Sequence, residues 1–117
     1  MKPVLYCWNF TPDRAAALAE ICSELGVRLR KVSPAETGLP VASLPEREPG
    51  PGLAMMPFRE EMLLMARFPD SLVDSLLASL RRRGLTVARK AVLTPFNAAW
   101  DSRKLFAELS AEAALHG

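Results

Sequence analysis

Residues 33–57 constrain the fold more than any other stretch of this sequence. They contain nine prolines and glycines, and prolines spaced this closely exclude a helix, because each removes a backbone donor and clashes with the preceding turn. The stretch is therefore a long irregular connection inside a single domain, residues 1–117. Two interpretations stay open. Glu46-Arg47-Glu48 indicates a mobile surface loop, whereas the apolar, methionine-rich run Leu53–Phe58 indicates a partner-binding arm.

Four short apolar runs predict strands. Val4–Trp8 and Met62–Ala66 are continuously apolar, which is typical of strands in the middle of a sheet. Val27–Val32 alternates, and its two arginines are predicted to face solvent, as on an edge strand that is wet on one side. Ala91–Leu93 is shorter and predicts the last strand, at the other edge.

Three amphipathic helices are predicted, each with a recognisable boundary. The first begins after Thr11, an N-cap residue followed by proline, and ends at Gly26. The second begins near Asp70 and ends at Gly84. The third follows Asp101, a good N-cap residue.

The order of these elements predicts an α+β fold: a ferredoxin-like βαββαβ sheet with strand order 4-1-3-2 and an extra C-terminal helix. A doubly wound parallel sheet would need a helical crossover that residues 33–57 cannot supply. If all three helices cover one face, the other face of the central strands is apolar and open. We therefore expect a homodimer, or coverage of that face by the long connection.

Few of the groups that enzymes and metal sites use are present. The only histidine is His116, near the C-terminus, and neither a Cys-x-x-Cys pair nor a glycine-rich phosphate loop occurs. We expect no cofactor, no metal and no catalytic residues. Nucleic-acid binding is not expected either, since the net charge is only +2 and the third strand offers no aromatic to join Tyr6 and Trp8.

The predicted location is the cytoplasm. The N-terminal residues lack a signal-peptide pattern, and no apolar run approaches the ~20 residues of a membrane span. Cys7 and Cys22 both lie among apolar residues, which predicts reduced core cysteines.

The candidate site is the turn after the last strand, with Lys90, Thr94, Pro95, Asn97 and Trp100 as its residues. Pro95 ends the strand ladder, and Asn97 suits a left-handed or Asx-turn conformation. The turn is either a rigid strand-to-helix connector or a place where the Asn97 amide binds a ligand or another chain.

A candidate interface is drawn from the first strand and from the end of the connection. Aromatic residues two apart in a strand share a face, and methionines adapt to irregular partners. The residues predicted for this interface are Tyr6, Trp8, Met55, Met56 and Phe58.

The sequence resembles the bacterial family DUF3783, a domain of unknown function. The motifs that carry the resemblance are Asn9-Phe10, Glu60-Glu61-Met62-Leu63 leading to Phe68, and Lys90-x-x-x-Thr94-Pro95-x-Asn97-x-x-Trp100. Arg67 departs from the family pattern, in which a glycine precedes the phenylalanine. The resemblance implies a small single-domain bacterial protein and supplies no activity, cofactor or catalytic residue.

Together these observations favour a small cytoplasmic domain that acts by protein–protein contact as a homodimer, without catalysis. The alternative is a small-ligand-binding or regulatory domain with its pocket near Thr94–Trp100.

Overall fold

The computed structural model describes residues 2–45 and 55–116, which form an α+β fold. Most of the apolar arm predicted at Leu53–Phe58 is described, but its first two residues, like 46–52, lie outside the described ranges. The described elements are β1 (Val4–Trp8), α1 (Pro12–Leu25), β2 (Arg28–Lys31), β3 (Met62–Ala66), α2 (Asp70–Arg82), β4 (Arg89–Val92) and α3 (Ser102–His116), with short 3₁₀ turns at Pro34–Glu36 and Val41–Ser43.

The helix boundaries follow the predicted signals. The Thr11 side chain accepts a hydrogen bond from the backbone N–H three residues on (3.5 Å), and the Asp101 carboxylate does the same at α3 (2.9 Å). Gly26 and Gly84 follow α1 and α2 with φ of 70° and 65°, the left-handed conformation that glycine adopts most easily. The three predicted helices are therefore confirmed.

The strand order is β2-β1-β3-β4, so the predicted order 4-1-3-2 is wrong. β1 pairs in parallel with β2, β3 pairs in parallel with β4, and β1 and β3 meet antiparallel at the centre. The sheet is thus two adjacent βαβ units placed side by side. The prediction that β1 and β3 are central and β2 and β4 are edges is correct. Both orders share it, and they differ in which edge strand lies beside β1.

The two units share the same βαβ architecture and correspond residue by residue over most of their length. The first unit is β1-α1-β2 and the second is β3-α2-β4. Up to the end of the helices, corresponding residues lie 58 positions apart, and both strand-to-helix junctions have a non-glycine residue at positive φ (65° and 62°). The corresponding pairs are Asn9 and Arg67, Phe10 and Phe68, and Gly26 and Gly84. Arg67 therefore holds the left-handed conformation at a position where glycine would be the least strained residue.

The strand pairing obeys the same correspondence. Val4 lies opposite Arg28 in the first unit, and Met62 lies opposite Arg89 in the second. The antiparallel β1–β3 pairing is centred on Tyr6 opposite Leu64. An approximate two-fold axis therefore passes through the middle of the sheet. From β2 and β4 onward the correspondence is 61 positions, because the second unit has three more residues, 86–88, between its helix and its edge strand.

The helices cover both faces of the sheet, and the prediction that all three cover one face is wrong. α1 and α2 pack against one face, which we call the helix-pair face, where Leu5, Cys7, Leu63 and Met65 are buried. On the other face, which we call the α3 face, the core includes Leu105 of α3 and residues of the connection. The connection thus helps to cover this face, through Val41 and Leu44, which was one of the two outcomes expected from the sequence.

The side of β2 that was predicted to face solvent is exposed only in part. Arg28 is exposed as expected, but Arg30 is 1% exposed and pairs with Glu36, which is 4% exposed. Arg30 Nη1 donates to Glu36 Oε1 at 2.6 Å, and Nη2 donates to the second carboxylate oxygen. The turn after β2 folds back under the strand and carries the carboxylate to the guanidinium. Arg30 is therefore a buried ion-paired residue.

Candidate functional site

The turn after β4 is held by hydrogen bonds of its own residues. The Thr94 N–H donates to Asn97 Oδ1 (2.9 Å), Asn97 Nδ2 donates to the Val92 carbonyl (3.0 Å), and the Asn97 N–H donates to Thr94 Oγ1 (3.3 Å). Pro95 brings no N–H, so the ladder between β3 and β4 ends at Leu93, whose N–H donates to the Met65 carbonyl. Both polar atoms of the buried Asn97 side chain thus bind the turn itself.

The turn after β2 has the same construction. Ser33-Pro34-Ala35-Glu36 corresponds to Thr94-Pro95-Phe96-Asn97. Glu36 Oε1 accepts from the Ser33 N–H (3.0 Å) and from the Ser33 hydroxyl (3.3 Å), as Asn97 Oδ1 accepts from the Thr94 N–H. Burial raises the pKa of the Glu36 carboxyl, but the hydrogen bonds from Arg30 and Ser33 outweigh it, and the pKa is lowered overall.

The predicted site residues do not all converge. Lys90 lies opposite Leu63, on the helix-pair face, and its ammonium donates to the Val87 carbonyl. There it lines a cleft of about 220 Å³ together with Arg81 and apolar residues at the end of α2. Trp100 instead packs against the core of the α3 face. The sheet therefore separates Lys90 from Trp100.

An exposed aromatic pair marks the outer side of the turn. Phe96 is 81% exposed, and its ring meets the half-buried Trp100 ring edge-on, with centroids 5.4 Å apart. The Lys104 ammonium lies 5.1 Å from the Trp100 ring. Leu39, also exposed, belongs to a segment that runs alongside the turn, since the Val41 N–H donates to the Trp100 carbonyl (2.7 Å). We call Leu39, Phe96, Trp100 and Lys104 the turn surface.

Most of the predicted interface is buried inside the chain. The Tyr6 hydroxyl donates to the Leu44 carbonyl (3.1 Å), and Trp8 Nε1 donates to the Ser102 hydroxyl (3.0 Å). Tyr6 and Trp8 are thus core residues of the α3 face and present no surface to a partner.

The other predicted interface residues differ from one another. Phe58 is also buried and stacks on Phe106, with ring centroids 4.1 Å apart. Met56 is half-buried, and Met55 is 88% exposed. The described end of the connection therefore contributes both to the core and to the surface.

A crevice that the sequence did not indicate lies at the carboxyl ends of β1 and β2. After β1 the chain enters α1 on the helix-pair face, whereas after β2 it turns toward the α3 face. When two adjacent parallel strands continue to opposite faces of the sheet, a crevice forms between their carboxyl ends. Open α/β sheets bind ligands in such crevices. The cavity measures about 290 Å³ and is lined by Cys7, Asn9, Phe10, Lys31, Val32, Pro34 and Met56.

Polar contacts of the first unit fix one wall of this crevice. Asn9 Nδ2 donates to the carbonyls of Phe58 (2.9 Å) and Glu60 (3.0 Å), which ties the end of the connection to the end of β1. Nearby in the sequence, Arg14 binds Glu61 through two hydrogen bonds of 2.6 and 2.8 Å. The hydrogen bond with Glu61 raises the pKa of Arg14. The Asn9 side chain therefore holds two backbone carbonyls and also lines the cavity.

The predicted core cysteines are confirmed as buried, and neither forms a disulfide. Burial raises the pKa of the Cys22 thiol to about 12. In the described part of the chain, no three His, Cys, Asp or Glu side chains stand close enough together to hold a metal ion. None of the helices within residues 2–45 and 55–116 combines the length and apolar character that a membrane crossing needs.

Comparison with known protein families gives a match over just under half of the chain. A family model described as a domain of unknown function, DUF3783, matches residues 61–115, which contain the second unit and α3 up to residue 115. No curated protein and no solved structure matches the chain. Over residues 61–115, the predicted resemblance to the DUF3783 family is confirmed.

Proposed function

We propose that this protein is a non-catalytic cytoplasmic interaction module that binds a second copy of itself through the turn surface. One observation carries the proposal: Phe96, 81% exposed, projects from a turn that is held internally by Asn97 and Thr94. A cytoplasmic location is supported by the two buried cysteines, Cys7 and Cys22, which form no disulfide, because reduced cysteines are typical of that compartment.

A fixed aromatic side chain is well suited to a protein contact. Burying it on association removes a large apolar area from water, and little conformational entropy is lost because the turn is already ordered. Aromatic residues of this kind are frequent hot spots, each contributing about 2 kcal/mol or more. Trp100 extends the apolar surface around Phe96, and the exposed Leu39 lies in the segment that is hydrogen-bonded to this turn. Lys104, which also pairs with Glu108 (3.2 Å), lies beside the Trp100 ring. A patch of this size supports weak, reversible association rather than an obligate dimer.

Sedimentation velocity tests the proposal. The wild-type chain, 12.8 kDa, should approach twice that mass as its concentration rises from about 1 to about 500 μM. Phe96→Ser should remain monomeric over the same range. Met55→Ser is the matched control, because Met55 is equally exposed and apolar but lies outside the turn surface, and it should dimerise like wild type. A wild-type chain that stays monomeric throughout contradicts the proposal.

The alternative, a ligand pocket at Thr94–Trp100, has less support. Each polar side-chain atom of Asn97 already makes a hydrogen bond within the turn, and Lys90 lies on the opposite face of the sheet. A ligand at this turn would have to compete with the bonds that hold it.

A further inference from the structure

We propose that the cleft at the C-terminal end of α2 is a binding site for a small organic phosphate, a phosphate monoester with a short apolar body. The cleft is lined by residues of α2, of the segment that follows it and of β4. None of the turn-surface residues lines it. The existence of this site therefore does not depend on self-association.

The lining of the cleft combines apolar and cationic side chains. Arg81 and Lys90 are its two cations, Thr86 adds an exposed hydroxyl, and none of the seven lining residues is acidic. The four apolar residues of the lining are Leu77, Leu80, Leu85 and Val87. A ligand with an anionic group and an apolar body would satisfy both kinds of surface.

The two cations keep their charge in the folded chain. The Lys90 ammonium donates to the Val87 carbonyl, a neutral group that holds the ammonium at the cleft and leaves two of its three N–H groups for other acceptors. Within the described residues, the arginine that forms ion pairs near the end of α2 is Arg83 rather than Arg81. The positive charge of the cleft is therefore not balanced by a carboxylate of its lining.

The end of a helix disfavours an anion, and the structure offsets this effect. A helix C-terminus carries roughly half a negative charge on its last carbonyls. Here the Gly84 N–H donates to the Arg81 carbonyl (3.1 Å). The Leu85 N–H likewise donates to the Leu80 carbonyl (2.9 Å). Two full cations beside carbonyls that already have donors give the cleft a net positive potential.

Charge and size together define the ligand. A phosphate monoester carries nearly two negative charges at pH 7.5, which matches two cations, and a guanidinium can bind two of its oxygens at once. At about 220 Å³ the cleft is smaller than most small-molecule sites, which suits a short organic phosphate and is too small for a nucleotide. Because Arg81 is exposed, its ion pair with a ligand stays partly hydrated, and we expect a dissociation constant of about 1 mM for a simple probe.

The first unit differs from the second at the features that form this cleft. Residues 86–88, which the second unit has in addition, supply two of the lining residues. Arg81 corresponds to Ser23, and Lys90 corresponds to Leu29. The first unit forms the same βαβ architecture with serine and leucine at these positions, so the architecture itself does not require the two cations.

This correspondence defines the variants. Arg81→Ser and Lys90→Leu each remove one cation and introduce the residue that the first unit has at the equivalent position. Arg82→Ser is the matched control, because it removes the same charge from the next residue of the helix, which is exposed and does not line the cleft. It gives up one hydrogen bond, from Arg82 Nη2 to the Ser79 hydroxyl (3.1 Å).

The experiment is a titration of ¹⁵N-labelled protein at pH 7.5 and a constant ionic strength of about 0.1 M, followed by amide chemical shifts. The probes are phenyl phosphate, inorganic phosphate and benzoate, each to about 20 mM. We expect saturable shifts with phenyl phosphate at the amides of Arg81, Leu85 and Thr86. Inorganic phosphate, without the ring, and benzoate, with half the charge, should each bind about threefold more weakly or less tightly still.

The variants then assign the binding to the cleft. Arg81→Ser and Lys90→Leu should each weaken the binding of phenyl phosphate about fivefold or more, whereas Arg82→Ser should stay within about twofold of wild type. Phe96→Ser, the variant that tests self-association, should bind phenyl phosphate normally. A failure of dimerisation and a failure of this site are therefore separate results.

Three results overturn the proposal. The first is the absence of saturable shifts with phenyl phosphate on the wild-type chain. The second is an equal loss in Arg82→Ser and Arg81→Ser, which would show attraction to the general surface charge. The third is equal affinity for phenyl phosphate and either of the other two probes, because the cleft would then recognise only the ring or only an anion. If Lys90→Leu does not fold, Arg81→Ser, at an exposed position, still decides the matter.

Discussion

The buried pair of Arg30 and Glu36 offers the sharpest energetic test of this structure. The second unit forms the equivalent turn without charged side chains, because Arg30 corresponds to Ala91 and Glu36 to Asn97. Glu36→Asn alone leaves a guanidinium that is 1% exposed without its carboxylate, and Arg30→Ala alone leaves the carboxylate with its Ser33 hydrogen bonds. Breaking a buried pair from one side typically costs about 3–5 kcal/mol.

The double variant, Arg30→Ala with Glu36→Asn, should cost less than either single change. It removes both charges, and the new amide side chain can accept from the Ser33 N–H as Asn97 does from the Thr94 N–H. What remains is the lost packing of the arginine's γ and δ methylenes, since alanine keeps the β carbon, at about 0.8 kcal/mol each or roughly 1.6 kcal/mol in all. The two single changes should therefore show a coupling energy of about 3 kcal/mol or more.

Urea denaturation of the four proteins of this cycle at pH 7 measures the coupling. A double variant whose free energy of unfolding falls by the sum of the two single losses would refute the reasoning, since additivity means that the two side chains do not act as a pair.

The pH dependence of the free energy of unfolding tests the same pair in a second way. The folded-state pKa of Glu36 is lowered below its ordinary value of 4.5, so its contribution to stability is present above about pH 4.5 and is lost as the pH falls through the folded value. The double variant should therefore lose less stability than wild type on acidification.

Three further outcomes follow from single contacts. Asn97→Ala should lower the free energy of unfolding by about 1–3 kcal/mol because it removes two hydrogen bonds of the buried turn, whereas Phe96→Ala beside it should change the value by less than about 0.5 kcal/mol; equal effects in urea denaturation would contradict this. Cys22, with its pKa raised to about 12, should resist a thiol reagent at pH 8 and react at once in denaturant, and fast labelling of the native chain would show that the site opens. Trp8→Phe should cost about 1–3 kcal/mol by leaving the buried Ser102 hydroxyl without its donor, and the same loss in a Ser102→Ala background would exclude that cause.

The sequence was sufficient to place the middle of the sheet but not its edges. Continuous apolar runs show that β1 and β3 are covered on both faces, and this is independent of which edge strand lies beside each. The order βαββαβ is common to the split and the adjacent βαβ arrangements. A signal was present in residues 33–57: neighbouring antiparallel strands are most often joined by a short hairpin loop, whereas a long connection suits β2 and β3 separated by β1.

The candidate sites show the same division between local and long-range information. The turn at Asn97 was predictable because its hydrogen bonds join residues within five positions. The burial of Arg30 was not, because alternation along β2 carries no information about the turn that returns beneath it. The crevice at Lys31 forms because β2 lies beside β1. It could not be predicted from a strand order that separates these two strands.

Joining the two units in one chain has a thermodynamic consequence. On separate chains, the central β1–β3 pairing would be a bimolecular equilibrium, and dilution would separate the units. In one chain the pairing is intramolecular, at an effective concentration on the order of millimolar, so the sheet persists at any dilution. A symmetric pair of chains must also carry identical residues on both sides of its axis. The tethered pair is free of that requirement, which is how Arg30 and Ala91, or Lys31 and Val92, can differ on equivalent backbone.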